Sequence, residues 1–132
     1  MANEVYKKSR PTITAQDSAS ITADSYSGGA QTVVDQTTIS GNAEGALEVE
    51  LYLDVTIPPS NNATAQVWLE ASYDNITFTV EDFCCSVGIG TSAGLYRVGY
   101  SELTKYGKYK IKAIDYGFTA ELLAVPKLPE IQ

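Results

Sequence analysis

The chain has 132 residues, 44% hydrophobic and 19% charged, with 9 Lys and Arg against 16 Asp and Glu, a formal net charge of −7 and no histidine. That length fits one domain able to bury roughly two thirds of the surface its unfolded form exposes. The acidic balance excludes a general affinity for nucleic acid or anionic membrane, because phosphate binding needs clustered Lys and Arg.

The start of the chain lacks the apolar core and cleavage pattern of a signal peptide, and no apolar run approaches bilayer length, so synthesis in the cytoplasm is expected. Residues 1–25 mix charge, Ser, Thr and Ala with scattered Val5, Ile13 and Ile21, which predicts an extended N-terminal arm. The Tyr26-Ser-Gly-Gly segment signals a turn into a strand over 31–39, and Gly41-Asn-Ala-Glu-Gly45 turns the chain again. Residues 46–57 then alternate strictly. Leu47, Val49, Leu51, Leu53, Val55 and Ile57 fall on one parity, and Glu48, Glu50, Tyr52 and Asp54 fall on the other, the pattern of a half-buried strand.

Pro58-Pro59 ends that strand, and residues 64–72 alternate in turn, with Ala65, Val67, Leu69 and Ala71 against Gln66, Trp68, Glu70 and Ser72. Tyr73-Asp74-Asn75 reads as a tight turn into a partner strand over 76–80, because Asp and Asn bond locally and tolerate left-handed backbone. A Gly and Ser loop is expected over 86–94, followed by strands at 95–100, 108–115 and 118–125. In the last two, Tyr109, Ile111 and Ala113, then Phe118, Ala120, Leu122 and Ala124, read as core. Pro126 and Pro129 close the sheet and leave a tail over 127–132. About seven short strands without an amphipathic helix predict an all-β, antiparallel β-sandwich over 26–126, jelly-roll or immunoglobulin-like, with extended N- and C-terminal arms.

Chemistry is harder to find. Without histidine the chain lacks the commonest general base and transition-metal ligand, and no enzyme activity, cofactor or metal is expected. Cys84 and Cys85 have neither an activating partner nor zinc-site spacing, and adjacent cysteines read as two reduced thiols. Glu48, Glu50 and Asp54 share a strand face as alternation alone requires, which makes a solvated face a simpler reading than a glycosidase-like carboxylate pair. Asp74, Asn75, Glu81 and Asp82 follow no known calcium-loop spacing. The glycines between Gly88 and Gly94 lack the lysine and the following helix of a phosphate-binding loop.

Two features point to contacts with other proteins. Trp68 faces outward if Val67 and Leu69 face inward, leaving a large aromatic for a contact surface, with Leu123 and Val125 outward on the last strand; with reversed parity Trp68 is the central core residue. Charge is also segregated. No Lys or Arg occurs from residue 11 to residue 96, while Lys7, Lys8 and Arg10 cluster near the start and Lys105, Lys108, Lys110 and Lys112 cluster late.

Two segments, Ala65-Gln-Val-Trp-Leu-Glu-Ala-Ser-Tyr-Asp-Asn-Ile-Thr-Phe78 and Tyr106-Gly-Lys-Tyr-Lys-Ile-Lys-Ala-Ile-Asp-Tyr-Gly-Phe118, resemble those of small β-sandwich structural proteins of tailed bacteriophages. The first resembles their strand, Ser-x-Asp-Asn/Gly turn and strand, and the second their late Tyr-x-Lys-Ile-Lys strand with its glycine turn. The resemblance implies a virion location and a capsid decoration or cement protein bridging capsomers. It implies contact with the major capsid protein or another virion protein, and a homo-oligomer with a trimer favoured. In that reading Lys7, Lys8 and Arg10 grip the lattice, while Trp68, Leu123 and Val125 form a subunit contact. A tail, neck or fibre component is the alternative within the same family. A carbohydrate-binding module using Trp68, Tyr52, Tyr96 and Tyr100 is the alternative of another class.

Overall fold

The computed structural model describes residues 12–35, 47–78, 80–103 and 105–126. Eight strands form two antiparallel four-stranded sheets packed as a sandwich, so the predicted fold class holds with one strand more than expected. They are β1 (Ile13–Ile21), β2 (Val34–Asp35), β3 (Leu47–Ile57), β4 (Ala63–Ser72), β5 (Val80–Ile89), β6 (Gly94–Leu103), β7 (Tyr106–Ile114) and β8 (Phe118–Pro126). The first sheet runs β1-β8-β3-β6 and the second β2-β7-β4-β5.

The alternating residues of β3, β4, β7 and β8 meet between the sheets. Val49, Leu51, Leu53, Val67, Ile111 and Leu122 are fully buried there, each burial contributing about 1.5–3 kcal/mol. Tyr109 is the largest fully buried side chain among the described residues. Its phenol donates to Ser101 Oγ at 3.0 Å, which satisfies the one polar atom that a tyrosine brings into a core. Ile57 departs from its predicted inward parity and is 61% exposed. The register slips by one residue between Val55 and Ile57, which turns the end of β3 over.

Three expectations along the chain are corrected. The N-terminal arm predicted over 1–25 contains β1, which pairs with β8 from Ile13 opposite Ala124 to Ile21 opposite Phe118, so the sandwich begins well before residue 26. β5 runs on through Ile89, so the first four residues of the Gly and Ser loop predicted over 86–94 are strand paired with β4, and the loop is confined to residues 90–93. Of the strand predicted over 31–39, Val34–Asp35 forms β2, and residues 36–46 lie outside the described residues, as do the basic arm residues and the tail over 127–132.

Between β1 and β2 the chain straps one edge of the sandwich. Its backbone bonds alternately to the two sheets: Asp24 and Ser27 donate to Ala113 and Ile111 of β7, whereas Thr32 donates to Ala15 of β1 and Asp17 donates back to Ala30. Buried Gln16 accepts a hydrogen bond from Ser27 Oγ, and Gln31 Nε2 donates to the Tyr109 carbonyl at 2.9 Å. A Cβ on Gly29 would lie 2.7 Å from the Asp17 carbonyl oxygen, so the close crossing requires glycine.

The opposite edge is made by β5 and β6, and both strands carry a bulge. Cys84 is the extra residue of β5, where Val67 faces Cys85 and Trp68 faces Phe83; Val98 is the extra residue of β6, where Leu51 faces Gly99 and Tyr52 faces Arg97. The bulges meet at Gly99, whose φ is +155° and whose added Cβ would fall 2.9 Å from Cys85 Cβ. Bulged edges twist away from further strand pairing.

Candidate functional site

The sandwich presents three surfaces that bear on function: the outer face of each sheet and one end. On the second sheet Trp68 faces outward and half-buried, as the first of its two predicted parities requires, and Tyr109 fills the core position instead. The strap brings Tyr26 edge-on to the indole, with ring centres 5.9 Å apart, and the β5 register brings Phe83 to its other side at 5.6 Å. Such edge-to-face pairs contribute about 0.5–1.5 kcal/mol each beyond burial. The indole Nε1 donates to Gln66 Oε1 at 3.1 Å.

Beside this row, alternation places Lys108, Lys110 and Lys112 on the same face of β7. Lys110 and Lys112 lie 4.1 and 5.1 Å from the Tyr26 ring centre, and Lys108 lies 4.4 Å from that of Phe78. Lys110 also pairs with Glu81, and this bond holds the Glu81 carboxyl below its ordinary range.

The outer face of the first sheet differs in charge. Glu48, Glu50 and Asp54 on β3, Glu102 on β6 and Glu121 on β8 share it with Arg97, which lies 3.2 Å from Glu50 Oε2. Leu123 and Val125 sit half-buried among them, with Leu123 directly opposite Tyr52. Trp68 therefore lies on one broad face and Leu123 and Val125 on the other. The structure brings Leu123 and Val125 together and separates both from Trp68. Lys7, Lys8 and Arg10 lie outside the described residues.

Sequence reasoning missed the third surface. The start of β1, the end of β8, the end of β4 and the start of β7 all lie at one end of the sandwich, since Ile13 pairs with Ala124 and Ser72 with Tyr106. The first and last described strands, β1 and β8, begin and end there respectively. The β4–β5 turn at that end carries Tyr73 and Ile76, 83% and 81% exposed. Asp74 Oδ1 accepts bonds from Ile76 N, Thr77 N and Ser72 Oγ, each at 2.9 Å, and Asn75 takes a φ of 61°. Those donors, the Thr77 amide foremost, lower the Asp74 carboxyl to about 2. The turn is thus an ordered mount for two apolar side chains held in water. The available signal was Tyr73 and Ile76 flanking an Asp-Asn turn, where turn-forming residues alone sufficed to explain the segment.

The two cysteines are free and half-buried at the β5 bulge. Burial raises both thiols, Cys85 to about 12, so neither is an activated nucleophile. Among the described residues no group of three or more His, Cys, Asp or Glu is placed to hold a metal ion, and no helix is long and apolar enough to cross a membrane.

Fold and surface together define the class: an all-β sandwich whose distinctive groups are aromatic, aliphatic and charged surface residues. Compared with known proteins, the chain matches no family model and no curated protein sequence.

Proposed function

We propose that this chain is a virion structural protein, a capsid decoration or cement protein that binds the outside of an assembled phage head and stabilises it by bridging capsomers. The observation that carries the reading is the sandwich end where β1 begins and β8 ends beside an ordered turn that exposes Tyr73 and Ile76. A protein docked end-on there places two apolar anchors and both terminal segments, including Lys7, Lys8 and Arg10, against one lattice. Each contact is weak, but repetition over a particle supplies avidity.

The test mixes purified protein with assembled heads and measures bound copies and head survival on heating. Tyr73→Ala/Ile76→Ala and removal of residues 1–10 should each reduce binding at least tenfold while leaving the melting temperature of the free protein nearly unchanged. Full decoration by both variants refutes end-on docking. Binding confined to tails, at a few copies per particle, moves the protein to the tail, neck or fibre reading.

The Tyr26, Trp68 and Phe83 row favours a second reading, a carbohydrate-binding module, because aromatic faces stack on sugar rings. Saturable quenching of the single tryptophan by a glycan supports it. An unchanged spectrum across a glycan panel removes it.

A further inference from the structure

We infer that copies of this chain associate face to back, with the Trp68 face of one sandwich seated on the Leu123 and Val125 face of the next. The occupant of each face is a second copy, and the first argument is charge. One face carries five carboxylates and Arg97, whereas the other carries the row Lys108, Lys110 and Lys112 with Glu70 and Glu81. Two copies meeting through like faces would oppose carboxylate to carboxylate or lysine to lysine. Unlike faces oppose lysines to carboxylates.

The second argument is spacing. Lys108, Lys110 and Lys112 recur at every second residue of β7, as do Glu48 and Glu50 on β3, with Asp54 two repeats beyond Glu50. Both rows therefore advance by about 6.8 Å per repeat, and one can lie along the other in register. Two ion pairs already on these faces do not block this. The Lys110 pair with Glu81 and the Arg97 pair with Glu50 are solvent-exposed on one side, and exposed ion pairs are weak enough to be shared or exchanged.

Third, each face has an apolar centre. Trp68 between its two aromatic neighbours meets Leu123, Val125 and Tyr52, which is the arrangement of a hot spot inside a polar rim. Four strands of about ten residues give the first sheet's face roughly 600 Å², and three such strands with the two-residue β2 give the second roughly 500 Å², so the pair buries roughly 1,000 Å². That is the low end for a specific interface and predicts association in the micromolar range or weaker.

Geometry fixes the kind of assembly. The contact is heterologous, so every added copy leaves one face of each type open. Because the outer faces of a sandwich point in opposite directions, successive copies form an open row rather than the closed trimer favoured by the sequence reading. The docking end points sideways from such a row, so neighbours can stand side by side on a lattice. This extends the proposed function and rests on it only for its setting, since the contact is measurable on the isolated chain.

The test is sedimentation velocity from about 1 µM to about 1 mM protein at low salt. The wild-type average size should rise with concentration without a plateau, and association should weaken severalfold from about 0.05 to about 0.5 M salt. Trp68→Ala and Leu123→Glu should each be monomeric. Mixed one to one, they should form a dimer and stop, because each retains the face the other lacks. Lys108→Glu/Lys112→Glu should behave as Trp68→Ala does, and circular dichroism melts verify the fold of each. A wild-type monomer throughout, a plateau at dimer or trimer, or no dimer in the mixture overturns the inference. Wild-type association lost on removing residues 1–10 also overturns it, in favour of the arm. Head decoration by a protein that never self-associates removes this inference alone, whereas self-association without head binding removes the proposed function alone.

Discussion

Gly99→Ala is the sharpest probe of how the β5 and β6 edge is built. The added methyl would stand 2.9 Å from Cys85 Cβ and 3.3 Å from its Sγ, on a backbone whose φ of +155° suits glycine. Backbone strain of this kind costs about 1–3 kcal/mol, and forcing an extra methyl into a filled space adds about 1–3 kcal/mol, so a total loss of about 2–6 kcal/mol is expected. With an unfolding entropy of about 2.1 cal/mol/K per residue, each 1 kcal/mol lowers the melting temperature of a domain this size by roughly 3–4 °C, giving a drop of about 7–22 °C. Gly94 supplies the control. Its φ is +153°, but nothing lies within 4 Å of an added Cβ. Gly94→Ala should therefore show the strain without the clash. Calorimetric melts of the two variants separate the contributions: equal losses, or a Gly99→Ala loss below about 0.5 kcal/mol, refute the close approach of the two bulges.

Other consequences can be measured on the same material. Tyr109→Phe removes the hydrogen bond to Ser101 while keeping the ring, and urea melts should show a loss of about 1 kcal/mol, against about 3–5 kcal/mol for Tyr109→Ala. Cys84 and Cys85 should react with a disulfide reagent at pH 8 at least tenfold more slowly in the folded protein than in urea, because burial raises both thiols; equal rates contradict their placement. Asp74 has its folded pKa lowered from 3.8 to about 2, so its contribution is present above about pH 4 and is lost as the pH falls through about 2. The melting temperatures of wild type and Asp74→Ala should accordingly converge over that window, and a constant gap rules out the charged turn.

The strands legible in the sequence are those whose register is unbroken along the core. β7 and β8 alternate without interruption, β4 does so until half-buried Ala71 and buried Ser72 at its end, and up to there the inward residues are the buried ones. The missed or truncated strands are those with bulges. β1 has two register irregularities against β8, so its apolar residues lose the two-residue period that marks a strand. In β5 the extra residue at Cys84 shifts the parity between Phe83 and Cys85, and the following Ser86 and Gly88 imitate a loop by composition. The candidate surfaces were legible only in part. Alternation suffices to turn Trp68, Leu123 and Val125 outward, but which sheet each strand joins is decided by tertiary pairing, so their placement on opposite faces is not written in any local pattern. Tyr26 reaches Trp68 only through the strap, from far away in sequence.

The neighbouring positions of β1 and β8 also set how the molecule bears force. The two strands are antiparallel and adjacent, and the start of β1 lies beside the end of β8. Tension that pulls the two chain ends apart would load their hydrogen bonds one after another, opening the ladder like a zip at low force. Tension that draws both ends together away from the sandwich would instead load the β8 and β3 ladder in shear, with many bonds strained at once. Attachments that move apart therefore pull this sheet in its weak direction, and attachments drawn together from the sandwich pull it in its strong one.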